Sequence, residues 1–218
     1  MTIGTGDAKL GTAFPTGPEA SRRQAEILDA ATELFAAQGY SDAVTQDLAL
    51  RLQVGKGTIY RHYPSKRDLF LAAVDRAMLR LREHIDARIE GTSDPLERIA
   101  LAVHAFLGFF EDHPDYVELL ILERALFKDR TRPTYLEHRD RIAHRWQELL
   151  RGLIAEGRVR DIPADRITTV LGDLCYGTIF TNRYTGRDRP SGEQARDILD
   201  ILFQGILGER ERRPSPAG

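Results

Sequence analysis

Lys56, Gly57, Tyr60 and Arg61 stand three and four residues apart, so a helix would carry all four on one face, with Ile59 on the opposite side. Each type suits a DNA groove for its own reason. Lys56 and Arg61 neutralise phosphates, Gly57 lets backbone approach backbone, and Tyr60 offers a ring and a hydroxyl. Thr58, at the edge of the face, is placed to hydrogen-bond a base or touch a thymine methyl. From Gly55 to Arg67 the cations Lys56, Arg61, Lys66 and Arg67 occur without an Asp or Glu, although the whole chain has a formal net charge of -2. A solvated surface is the bland reading of an isolated basic helix. Basicity gathered on one short element of a slightly acidic chain favours a surface aimed at nucleic acid.

Two short helices and a turn must position that face. Leu48, Ala49 and Leu52 form an apolar stripe behind Thr45, which is placed to cap the first helix, while Asp47 favours its positive first turn. After Val54, Gly55 is expected to take a backbone conformation that other residues resist, turning the chain into a second helix from about Lys56 to His62. Pro64 stops that helix, and Ser65 with Asp68 makes a capping box for the next. Lys66 then lies in a first turn, where free N–H groups and the helix dipole already attract a phosphate. The pattern is that of a helix-turn-helix DNA reader.

The segments ILDAATELFAAQGY, a Thr before the second helix, and VGKGTIYRHYPSKRDLF resemble the N-terminal signature of the TetR-type bacterial transcriptional regulators, from Ile27 to Phe70. Two positions depart from it: Gly55 stands where the family more often has Ser or another capping side chain, and Ala43-Val44 lacks a hydroxyl often seen there. The resemblance implies an all-α homodimer of about nine helices per subunit, with a three-helix DNA domain followed by a helical ligand-binding and dimerisation bundle. It places the DNA contacts on Thr45, Lys56, Gly57, Thr58, Tyr60, Arg61, His62 and Lys66. The His62 and Tyr63 rings carry the alternative of packing on the three-helix core. The implied mechanism is a repressor released from a palindromic operator when a small molecule fills the bundle.

With 218 residues, 42% hydrophobic and 29% charged, the chain has the composition of a globular protein with one large or two modest cores. No apolar run approaches the roughly 20 residues that span a bilayer, and no export signal is evident, so a cytoplasmic protein without a membrane partner is expected. The single Cys175, in an apolar stretch, is read as a buried thiol. The organisation expected is a mobile tail over 1–20, the reader over 21–67, the bundle over 68–208 and a second tail over 209–218. Gly4-Thr5-Gly6 resembles a nucleotide loop only superficially, since no strand precedes it.

Periodicity places helices at about Ser21–Gln38, Lys66–Ile89, Pro95–Asp112, Asp115–Phe127, Pro133–Glu156, Ala164–Tyr184 and Ser191–Gly208. The first buries Ile27, Ala31, Leu34 and Phe35 and stops at Gly39, and the second runs through Leu69, Ala73, Leu79 and Leu81. The last two are apolar nearly all round, which calls for burial on two sides. Leu171, Leu174, Ile179, Ile198, Leu202 and Ile206 are therefore candidates for a four-helix interface between two subunits; deep burial within one subunit is the alternative. Gly172, Gly177 and Gly205 would permit close approach. A dimer also fits a reader whose half-sites lie about 34 to 36 Å apart.

Phe106, Phe109, Phe110, Tyr116, Trp146 and Tyr176 are candidates for the wall of a ligand cavity, with Asn182 or His104 as polar anchors, against the simpler reading that aromatic residues at helical spacing are core. The small-molecule effector is not named by the sequence. No cofactor, metal or enzyme activity is expected: there is no nucleophile elbow, phosphate loop or HExxH, and the six His residues lack ligand spacing on a helix face. His138 and His144, flanked by arginines, read as solvated or pocket-edge residues. A small-molecule-binding helical protein or an enzyme with no DNA function is the contrasting reading, and it would leave the basic face idle.

Overall fold

Ile27, Ala31 and Phe35 recur on one side of the first helix and are fully buried, which fixes the face that α1 turns toward the rest of the chain. The computed structural model describes residues 18–205 except 188. Among them there are nine helices and no strand: α1 Pro18–Asp42, α2 Thr45–Arg51, α3 Lys56–His62, α4 Lys66–Ile89, α5 Pro95–Asp112, α6 Pro114–Leu126, α7 Thr134–Ala155, α8 Ala164–Thr185 and α9 Ser191–Gln204. The all-α expectation holds. Ile206, most of the expected N-terminal tail and the whole C-terminal tail lie outside the described residues, while Pro18–Ala20, expected in the tail, are helical.

Local signals account for the ends. Gly39 breaks α1 at φ 73, a left-handed value suited to glycine, although helical turns resume as far as Asp42. Ser65 accepts from the Asp68 backbone N–H at 3.1 Å and donates its hydroxyl to the Asp68 carboxylate at 2.7 Å, the capping pair expected before α4. Asp94 caps α5 by accepting from the N–H groups of Leu96 at 2.7 Å and Glu97 at 3.1 Å. Pro95 and Pro114 occupy first turns, where the missing N–H costs nothing.

α4 is the axis. It buries Leu69, Phe70, Ala73 and Val74 against the reading head and Ala77, Met78 and Leu81 further along, so Met78 rather than Leu79 supplies the inward position there. One apolar core runs without interruption from Ile27 and Leu48 through Phe70 to Phe106, Leu119 and Ile198. A second, small cluster of Ile99, Leu150, Leu153 and Ala164 ties α5, α7 and α8. Phe127, just after α6, joins this arrangement with its ring edge-on to Tyr40 at 5.4 Å and tilted to Phe70 at 5.6 Å.

A buried carboxylate holds the link between α6 and α7. Glu123 is 1% exposed and accepts from the Thr134 backbone N–H at 3.0 Å and the Thr134 hydroxyl at 2.7 Å, with the Arg130 guanidinium 3.2 Å away. It thus satisfies an end N–H of α7 from another helix. The same link reaches the head, because Asp129 pairs with Arg67, whose guanidinium stands 4.9 Å from the centre of the Phe127 ring.

Candidate nucleic-acid interface

Ile59 is fully buried and His62 nearly so, which leaves the opposite side of α3 in the open. Lys56, Gly57 and Arg61 are exposed there, with Thr58 and Tyr60 half-buried beside them. Lys56 Nζ stands 5.6 Å from the centre of the Tyr60 ring, so the cation and the aromatic face form one patch. A Cβ built on Gly57 would meet no atom within 4 Å, and the backbone there needs no left-handed angle. Nothing inside the chain asks for glycine at this position.

The remaining expected contacts divide. Thr45 is buried and does not cap α2; Val44 occupies that position without a side-chain bond, and the Thr45 Oγ1 instead accepts from the Tyr60 hydroxyl at 3.3 Å. Its packing orients Tyr60. His62 lies on the core side, its ring 6.4 Å from that of the buried Tyr63, whose acidity burial weakens. Lys66 donates to the Ser41 carbonyl at 3.0 Å and covers the Tyr40 ring at 4.9 Å, which pins the start of α4 to the end of α1.

The turn is made differently from the expectation. Gly55 is extended, at φ -69 and ψ 141, and caps α3 without a side chain. Gln53 takes the left-handed angle instead, at φ 52. Hydrogen bonds explain this placement: Gln53 N–H reaches the Leu50 carbonyl at 3.1 Å and Val54 N–H reaches Ala49 at 3.0 Å, so the chain reverses two residues before Gly55.

Behind the head, a cavity of about 1320 Å³ opens among α4, α5, α7, α8 and the end of α9. Phe106, Trp146 and Tyr176 line it, whereas Phe109, Phe110, Tyr116 and Asn182 do not, and neither does His104. Phe109 and Phe110 are core, stacked edge-on at 5.4 Å. Tyr116 accepts from Arg80 at 2.7 Å, and Asn182 donates to Gln194 at 2.9 Å. Of the two readings given for His138, solvated or pocket-edge, the structure places it at the cavity. It is 5% exposed, lines the cavity, and its Nε2 lies 2.7 Å from Asp75 Oδ1 on α4, holding that carboxyl below its usual range. His144 is the solvated one. Cys175 also lines the wall, and burial pushes its thiol up to about 12, so the thiolate is scarce.

The family model described as bacterial regulatory proteins, tetR family, matches residues 27–73, and that of the tetracyclin repressor-like C-terminal domain matches residues 92–206, more than half of the chain. The chain belongs to the TetR family. It is a ligand-responsive DNA-binding regulator.

Similar proteins bear on this TetR-family chain from several sides. The HTH-type transcriptional repressor KstR2 of Mycobacterium tuberculosis is 25% identical over 88% of this chain and 96% of its own length. The nucleoid occlusion factor SlmA of Vibrio campbellii is 28% identical over 66% of this chain and 73% of its own. A transcriptional regulator from Saccharomonospora viridis, solved in complex with choline, matches at a TM-score of 0.70 and 25% identity over 87% of this chain and all of its own.

The α8 and α9 residues expected at a TetR-type dimer interface separate into two sides. Leu174 is 39% exposed, near Val170 at 46%, and Ile201 on α9 is 53% exposed. Ile179 and Ile198 are instead buried within the subunit, so the core rather than the outer face explains their type. Leu171 and Leu202 are half-buried and line the cavity. Gly172 already faces the Arg139 side chain, which a Cβ would meet at 3.3 Å, while Gly177 opens onto empty space.

Proposed function

We propose that this chain is a repressor that binds a palindromic operator as a homodimer and leaves it when a small molecule fills the cavity. The observation that carries the reading is the α3 face, where Lys56, Tyr60 and Arg61 surround a Gly57 that no internal contact requires. Lys56 and Arg61 contact phosphates and base edges, Thr58 and Tyr60 read bases, and Gly57 admits the backbone. Lys66 adds a phosphate contact from the first turn of α4, and Thr45 and His62 serve by holding the face in place. The head spans 21–67 and the bundle 68–208, and the protein works in the cytoplasm, with duplex DNA, a second copy and the effector as partners.

The dimer forms through the outward side of α8 and α9, where Val170, Leu174, Gly177 and Ile201 offer an apolar strip with one low point for close packing. The effector acts only through its different affinity for the bound and released states, and a difference of about 1.4 kcal/mol shifts release tenfold. Regulator rather than enzyme is the reading the family favours.

A duplex selected from a random pool by the purified protein tests this. A palindrome is expected. Lys56→Ala and Arg61→Ala should each weaken its binding and lower the salt slope by roughly one unit, with helicity and melting unchanged. Undiminished affinity in both folded variants overturns the assignment of α3.

A further inference from the structure

The cavity has two kinds of surface. Apart from His138, paired with Asp75, its inner wall is mainly apolar, with Met78, Leu81, Ile99, Val103, Phe106 and Leu150 all buried along it. The arginines and aspartates that line it are exposed or half-buried, so they ring the opening. Most are already compensated. Arg139 pairs with Asp173 at 2.7 Å, Arg145 with Asp86 at 2.6 Å and Arg158 with Asp94 at 2.7 Å, and Asp140 is held by Arg132. Three rim arginines, Arg82, Arg160 and Arg166, meet no carboxylate among the described residues, against one such carboxylate, Asp161. The uncompensated charge at the mouth is therefore positive, on a chain whose formal net charge is -2.

A second observation is independent of the rim. Tyr176 is 8% exposed and lines the cavity, and its hydroxyl has no hydrogen-bond partner among the described residues. Burial raises its pKa, so the group remains an O–H donor. The hydroxyl is reached from the cavity rather than sealed in the core, so a ligand acceptor there can accept its hydrogen bond. The volume of about 1320 Å³ also exceeds the roughly 300–1000 Å³ usual for ligand pockets, which suits a long molecule.

We propose that the cavity takes an elongated organic anion, its apolar body against the inner wall and its acid group at Arg82, Arg160 and Arg166. This rests on the reading of the cavity as the effector site and names the chemical class that fills it. A neutral molecule would leave the rim charge unused, and a cation would be repelled by it. The acid group is a carboxylate or a phosphate, since both answer the same arginines.

Trp146 lines the cavity and is the single tryptophan of the chain, so its fluorescence reports occupancy. The full-length protein is titrated with dodecanoate, dodecyl phosphate, dodecanol and dodecyltrimethylammonium, each below its micellar concentration. At least one of the two anions should bind ten times tighter than dodecanol or better, with the ammonium weakest, and salt should narrow the gap; the tighter anion identifies the head group. The combined variant Arg82→Gln, Arg160→Gln, Arg166→Gln should bring the anions to the affinity of dodecanol while dodecanol binding and the thermal melt stay as they were. Equal affinities for anion and alcohol, a preference for the cation, no binding by any probe, or an anion preference that survives in the variant overturns the proposal. Operator binding without added amphiphile is measured alongside. A protein that binds DNA but shows no anion preference loses this inference alone, whereas anion binding without operator binding removes the repressor reading and leaves the ligand class standing.

Discussion

His138 Nε2 lies 2.7 Å from Asp75 Oδ1, joining the wall of the cavity to the helix that begins where the reading head ends. The second tie between bundle and head runs through Arg67 and Asp129 in the α6–α7 link, beside the Phe127 ring. α4 is thereby gripped at its first turn and again further along, both times from the segment leading into or forming α7. In the proposed dimer, a movement of α7 against the cavity contents would be felt at two points of α4, which is how occupancy would bias the spacing of two heads.

The His138–Asp75 pair has a definite pH signature. The carboxyl of Asp75 is held low chiefly by the hydrogen bond to His138, so its contribution is present above the unfolded carboxylate value of about 3.9 and is lost as pH falls through the lower folded value. Asp75 is about half exposed, so solvent screening keeps the contribution to about 1 kcal/mol or less. Asp75→Asn should therefore melt lower than the parent at neutral pH, and the difference should vanish only in strong acid. Thermal melts from pH 7 to pH 2 check this, and a difference that disappears between pH 7 and pH 5 would contradict it.

Gly57→Ala separates fold from recognition. Its Cβ meets nothing within 4 Å and its backbone is helical, so stability should hold or rise by up to ~1 kcal/mol. Affinity for the selected operator should nevertheless drop, because in the proposed complex the new methyl group would stand between α3 and the duplex. Chemical denaturation and fluorescence anisotropy on the same preparation read the two effects.

Glu123→Ala removes the carboxylate that the Thr134 N–H, the Thr134 hydroxyl and Arg130 share, leaving these donors without it in a buried place. A loss of about 3 kcal/mol is expected, seen as a melting temperature lowered by roughly 10 °C. Calorimetry against the parent measures it.

Leu174→Glu places a charge on the outward strip of α8, whereas Ile179→Glu places one in the core. The first should give a folded monomer by sedimentation, and the second should impair folding itself. A stable dimer in the Leu174 variant would move the interface elsewhere.

The elements that could be read along the chain are those whose reasons are local. Ser65 and Asp68 cap α4 whatever surrounds them, Pro95 and Pro114 mark helix starts, and Lys56–His62 carries its basic face in three- and four-residue spacing. The turn before α3 was less legible. Glycine is the usual bearer of a positive φ, yet Gln53 takes it at 52 and Gly55 stays extended, because the hydrogen bonds closing α2 set where the chain must reverse.

By itself the sequence determined the all-α class, the order and approximate ends of the helices, and the cationic character of α3, since each follows from periodicity, caps and charge within a few residues. Only the tertiary structure decided which apolar side chains meet which. Thr45 turned inward to hold Tyr60, His138 became a buried partner of Asp75 despite its flanking arginines, Ile179 and Ile198 went to the core while Leu174 stayed outside, and of the six aromatic candidates Phe106, Trp146 and Tyr176 reached the cavity. Periodicity gives the direction a side chain leaves its helix, whereas the choice among core, cavity and open surface belongs to the helix packed against it, often tens of residues away in the chain.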